Sequence, residues 1–164
     1  VSHASDDPAP STLGRLEDQL LGGPRTLTLA QLAERAGTSV ERARLFWHTL
    51  GLPTSQADAV AYTEVDADVL RALLEVAARY EVSTRTAVSM VRAIGHTTDR
   101  LVLWQVEALV EHLSEKYDLD DVSARLALLD RLGVIAPVLE DQLVHAWRRQ
   151  VAAIAGRFAA EFGA

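Results

Sequence analysis

Histidine is the side chain whose charge changes near neutral pH, and this chain carries five, at positions 3, 48, 96, 112 and 145. No two stand four residues apart, the spacing with which a helix presents two imidazoles to one metal ion. Cysteine is absent, which removes thiol catalysis, thiolate zinc sites and disulfides and leaves the cytosol as the default compartment. No glycine-rich phosphate loop is present either. The chain as given therefore reads as a non-enzyme, with no metal and no catalytic residue.

What the histidines can do is sense. His145 stands one turn after Asp141 and one turn before Arg149. A carboxylate favours the imidazolium and a guanidinium the neutral ring, so its environment sets its charge. His112 continues a line through Leu101, Trp104 and Ala108, with Glu111 and Glu115 beside it, and His96 falls in the stretch GHTTD, 95–99. His112, His145 and His96 are the candidate pH sensors; the ordinary alternative is a solvent-facing or capping histidine. His112 or His145 is expected at a dimer or inter-domain surface, because each lies on a helix with a spare apolar or charged face.

These residues are positioned by helices throughout. Residues 1–11, rich in Ser, Asp and Pro, are expected to be a disordered tail. A short helix over Thr12–Leu21 is closed by Gly22-Gly23-Pro24. Thr28 caps a helix to Ala36, and Thr38 with Glu41 gives a capping box for a helix ending near Gly51. Residues 54–62 are a loop or short wing. Thr63 with Asp66 repeats the capping pattern for a half-buried helix, with Val65, Val69, Leu73, Val76 and Tyr80 on one side and a Glu75–Arg79 pair opposite. Ser83 starts the next helix, with a break expected at 95–99 and Thr98 as the new cap. Asp120-Asp121 opens a helix to Leu132, stopped at Gly133, and Pro137 suits the first turn of a last helix. That helix carries Leu139, Leu143, Trp147, Val151, Ile154, Phe158 and Phe162 at steps of three or four. The fold class is all-α: a helix-turn-helix-like lobe over 12–62 and a helical dimerisation and sensor lobe over 63–164.

Residues 27–53 have the small Ala33, the Gly37 turn and the apolar Val40 and Phe46 of two crossed short helices. With YTEVDADVLRALLEVAARYEVS, 62–83, they resemble the front of MerR-type regulators, a reading that gives Arg42 and Arg44 to phosphates or base edges. Against it, four arginines face three acids between Pro24 and Tyr62, a local charge of +1, and the whole chain stands at −7 with fifteen arginines and one lysine. Architecture is the preferred role for this unit, with no nucleic acid as partner. No apolar run is long enough to span a membrane, and no signal peptide with a basic start and an apolar middle is expected.

Taken whole, residues 24–160 resemble the N-terminal regulatory domain that precedes the catalytic domain in a group of actinobacterial class III adenylate cyclases. The resemblance rests on LAERAGTSVERARLFWHTLGLP, then AYTEVDADVLRALLEVAARYEVSTRTAVSMVRAIGHTTDRLVLWQVEAL, then APVLEDQLVHAWRRQ. It implies an all-helical disc forming a two-fold homodimer, whose final helix leads into a cyclase domain and transmits an inhibitory or activating position to it. The chain begins with Val and stops just after the apolar seam, where a boundary with such a domain is expected. The resemblance further implies a response to pH and a bound fatty acid. Met90, Val91, Ile94, Leu101, Trp104, Leu139, Leu143 and Trp147 are the candidate lining of such a pocket, with Arg92 or Arg100 for the carboxylate; the alternative is that these side chains simply pack on one another.

Overall fold

The structure, a computed structural model, describes residues 11–163. Within it six α-helices follow one another: α1 Thr12–Leu21, α2 Leu29–Ala36, α3 Val40–Thr49, α4 Glu64–Arg79, α5 Thr84–Tyr117 and α6 Asp121–Phe162. The all-α expectation is met among the described residues; the one β feature is an isolated antiparallel bridge between Leu27 and Tyr62. The tail expected over 1–11 lies outside the described residues except for Ser11, whose hydroxyl caps α1 by accepting from the Gly14 N–H.

Local sequence explains most of the helix ends. Thr28 with Gln31 and Thr63 with Asp66 form complete capping boxes, satisfying N–H groups that the first turn leaves without partners. Ser83 and Asp120 cap α5 and α6. Gly22 and Gly37 close α1 and α2 in the left-handed conformation that suits glycine.

Three expected boundaries are corrected. The cap of α3 is Ser39, which accepts from the Arg42 N–H, whereas the Thr38 hydroxyl is buried with no partner, so Thr38 and Glu41 form no capping box. The break expected at 95–99 is absent: α5 runs unbroken for 34 residues, and the Thr98 hydroxyl donates back to the Ile94 carbonyl within the helix. Gly95 is there for contact, since a Cβ on it would stand 2.6 Å from the Leu50 carbonyl oxygen at the end of α3. Likewise α6 does not stop at Gly133 or restart at Pro137; it continues through both for 42 residues.

Three apolar clusters hold the helices. Leu27, Leu29, Leu32, Ala33, Ala43, Tyr62 and Ala67 join α2, α3 and α4. Phe46, Ala87 and Val91 seat α3 on the first half of α5. Val110 and Leu113 of α5 meet Ala124 and Leu128 of α6, so these two helices form an antiparallel hairpin turned at Asp118–Leu119, with Asp118 in the left-handed region. Helix α4 turns Ala67, Leu70, Leu73, Leu74 and Ala77 inward, leaving Val65, Val69, Val76 and Tyr80 exposed, a face rotated from the expected one. Arg79 lies over the Tyr80 ring, and the ion pair on this helix joins Arg71 to Asp68 rather than Glu75 to Arg79.

Candidate functional site

The middle of α5 is ringed by apolar clefts. One, of about 330 Å³, lies between the helix-turn-helix unit, α4 and α5, and is lined by Phe46, Trp47, Leu70, Met90, Val91 and Ile94 among others. A second, of about 410 Å³, opens between α5 and α6, where Ile94, Thr97 and Thr98 face Leu143, Val144 and Trp147. A third, of about 390 Å³, runs from Leu50–Leu52 to Thr98–Val106. The close approach of Gly95 to Leu50 holds α3 against α5 where these spaces meet.

Five of the eight apolar candidates from the sequence line the first two clefts: Met90, Val91, Ile94, Leu143 and Trp147. Leu101 and Leu139 are half-buried and line none of the three, and Trp104 is 64% exposed. Arg92 and Arg100 are exposed and line none of them; Arg100 instead stacks over Trp104 at 5.6 Å. Asp66 and Asp99 are the ionisable side chains on the cleft walls, and neither was anticipated. Asp66 is committed elsewhere, its carboxylate accepting from the Thr63 N–H at 2.8 Å.

His96, His112 and His145 are all exposed, the first two on α5 and the third on α6. Among the described residues no group of three His, Asp or Glu side chains is placed to hold a metal ion.

Helices α2 and α3 pack on one another through Leu29, Leu32, Ala33 and Ala43, with Trp47 of α3 edge-on to Tyr62 at 4.8 Å and its indole N–H donating to the Pro53 carbonyl. Burial holds the Tyr62 phenol above its ordinary pKa, opposed by nearby Arg44 and reinforced by Asp66. The basic side chains of this unit are largely engaged. Arg25 pairs with Glu17, Arg35 with Glu64, and Arg42 reaches Thr84 at the start of α5.

Among the described residues, the far half of α6 is a long exposed stretch that meets α5 only across the cleft at Leu143–Trp147. Residues 140–163 are exposed without interruption, yet they carry Leu143, Trp147, Val151, Ile154, Phe158 and Phe162 at helical spacing. Trp147 is 64% and Phe162 73% exposed. Contiguous apolar surface of this kind marks an interaction site. Among the described residues no helix is long and apolar enough to cross a membrane.

No family model matches the chain. Individual relatives do. It is 37% identical over 148 residues to an adenylate cyclase of Glutamicibacter nicotianae, covering 90% of this chain and 37% of that protein. With an adenylate cyclase of Streptomyces coelicolor it shares 36% identity over 154 residues, covering 93% of this chain and 40% of the relative. With that of Streptomyces griseus it shares 34% over 143 residues, 87% of this chain and 35% of the relative. The chain spans less than half the length of the curated relatives it matches. This chain is thus related by sequence, over 87% to 93% of the residues given, to adenylate cyclases.

Proposed function

We propose that this chain is a regulatory module that pairs with a second copy of itself and controls an adenylate cyclase catalytic domain through α6. The observation that carries the reading is the exposed apolar seam from Leu143 to Phe162, on a chain whose relatives are cyclases more than twice its length. An isolated helix of that composition is unstable in water, and a second identical helix buries it by the shortest route. Two connecting helices joined across a two-fold axis set the relative position of whatever follows them. That is a sufficient control for a cyclase whose active site forms between two catalytic domains.

The native reading frame tests this first. An α/β domain with two metal-binding aspartates beyond Ala164 supports the module; a stop codon soon after it overturns the proposal and brings the DNA-binding reading forward. The input belongs to the same proposal: pH through His112 and His145, and a fatty acid whose acyl chain enters the clefts around Ile94. Replacing both histidines by Ala in the full-length protein should flatten the pH profile of cyclase activity, and an unchanged profile removes them as sensors. Native mass spectrometry of the purified chain should show a fatty-acid-sized adduct that Ile94→Trp diminishes; a bare species counts against the pocket.

A further inference from the structure

One backbone group in the middle of α6 lacks its helical partner. Pro137 has no N–H, so the carbonyl of Gly133, four residues earlier, loses its regular i+4 donor, and the pyrrolidine ring crowds it. A donor arrives from outside the helix: Nε2 of Gln19 on α1 donates to the Gly133 carbonyl at 2.7 Å. A Cβ at 133 would lie 3.1 Å from the Gln19 side-chain oxygen, so glycine eases this contact by the few tenths of an ångström that the glutamine would otherwise have to give. Gln19, Gly133 and Pro137 thus act as one unit.

Helix α1 is otherwise lightly held. None of its residues is buried. It leads into Gly22-Gly23, with φ of 77° and 153°, and it faces Leu126 and Leu129 of α6 across an open cleft of about 240 Å³ through Leu13 and Leu16. The proline also marks a boundary along α6. Ala124 and Leu128 before it are buried against α5, and residues 140–163 beyond it are exposed.

We propose that α1 is a latch that closes on the proline step of α6 and fixes the direction of that helix's far half, so that docking and release of α1 give α6 two settings. The latch deepens the regulatory reading above and rests on it only for what the two settings control. Because the chain has no cysteine, Arg15→Cys and Glu140→Cys accept a pair of nitroxide labels without background. Pulsed electron resonance on the labelled chain, diluted with unlabelled chain, then reads the α1–α6 distance. The parent should give one narrow distribution. Gln19→Leu, which keeps the apolar stem but cannot donate, should raise the long-distance fraction by about two- to tenfold, the range for one hydrogen bond. Pro137→Ala returns an N–H to the Gly133 carbonyl, and in that background Gln19→Leu should shift the distribution by less than half as much. No shift in the parent, or an equal shift in both backgrounds, overturns the latch. Gln19→Asn, one methylene too short to reach, replaces Gln19→Leu if circular dichroism shows that the latter loses helix. Cyclase activity is not read, so failure here leaves the regulatory reading standing, and its failure leaves the latch measurable.

Discussion

Replacing one hydrogen of Gly95 by a methyl group would set a carbon 2.6 Å from the Leu50 carbonyl oxygen, against backbone that has nowhere to go. Alanine is the better helix former by about 1 kcal/mol, so propensity alone predicts a gain from Gly95→Ala. Overpacking costs about 1–3 kcal/mol and also separates α3 from α5. The expected outcome is net destabilisation, read as a lower urea midpoint. A contrast at the same scale is Thr38 beside Ser39. Ser39→Ala removes a real cap and should cost about 1 kcal/mol. Thr38→Val removes a buried hydroxyl with no partner and should leave the midpoint unchanged or raise it. If Thr38→Val proves the costlier of the two, the assignment of the cap is wrong.

At the scale of elements, the start of α6 carries a pH dependence. Hydrogen bonds from the Ser123 N–H and hydroxyl hold the Asp120 carboxyl below its ordinary pKa. A lowered carboxylate contributes stability above its unfolded value, near 4, and that contribution is lost as pH falls through the folded value. Melting temperature should therefore drop on the acid side of about pH 4, and Asp120→Asn, which cannot ionise, should flatten that limb and lose the same contribution at neutral pH. Most of the helix plan was legible in the sequence for the same local reason: Thr28, Thr63, Ser83 and Asp120 bond groups three residues ahead, and Gly22 and Gly37 relax a local backbone. The sequence reading went astray where glycine and proline answer to distant partners. Gly95 answers to Leu50, and Gly133 with Pro137 answers to Gln19, contacts that no window of neighbouring residues contains. The candidate site divides the same way. Met90, Val91 and Ile94 share one helical stripe and meet at a cleft, whereas Arg92 and Arg100 were chosen for their charge and point elsewhere.

At the scale of the whole molecule, the apolar load is badly distributed for a lone chain. Trp104, Val134, Trp147, Phe158 and Phe162 are all more than half exposed, the apolar surface that the proposed pairing would cover. Trp147→Glu with Phe158→Glu should convert a self-associating chain to monomer in sedimentation velocity while its circular dichroism stays helical. A wild type that sediments as a monomer at tens of micromolar would contradict the pairing. The charge of −7 and the ion pairs of Arg25 and Arg35 lead to a further expectation, negligible binding to random DNA even at low salt. Salt-sensitive retention on DNA would reverse it.

The length of α6 turns small angles into large displacements. From Pro137 to Phe162 the helix advances about 38 Å at 1.5 Å per residue, so a tilt of about 10° at the proline sweeps its tip through about 7 Å. In the two-fold pair proposed above, the axis makes both tips move together, so a tilt along the line between them changes their gap by about twice that, more than the diameter of a helix. A single hydrogen bond on Gly133 lies beside the fulcrum of that arm, where a small displacement is multiplied into a large travel at the tip.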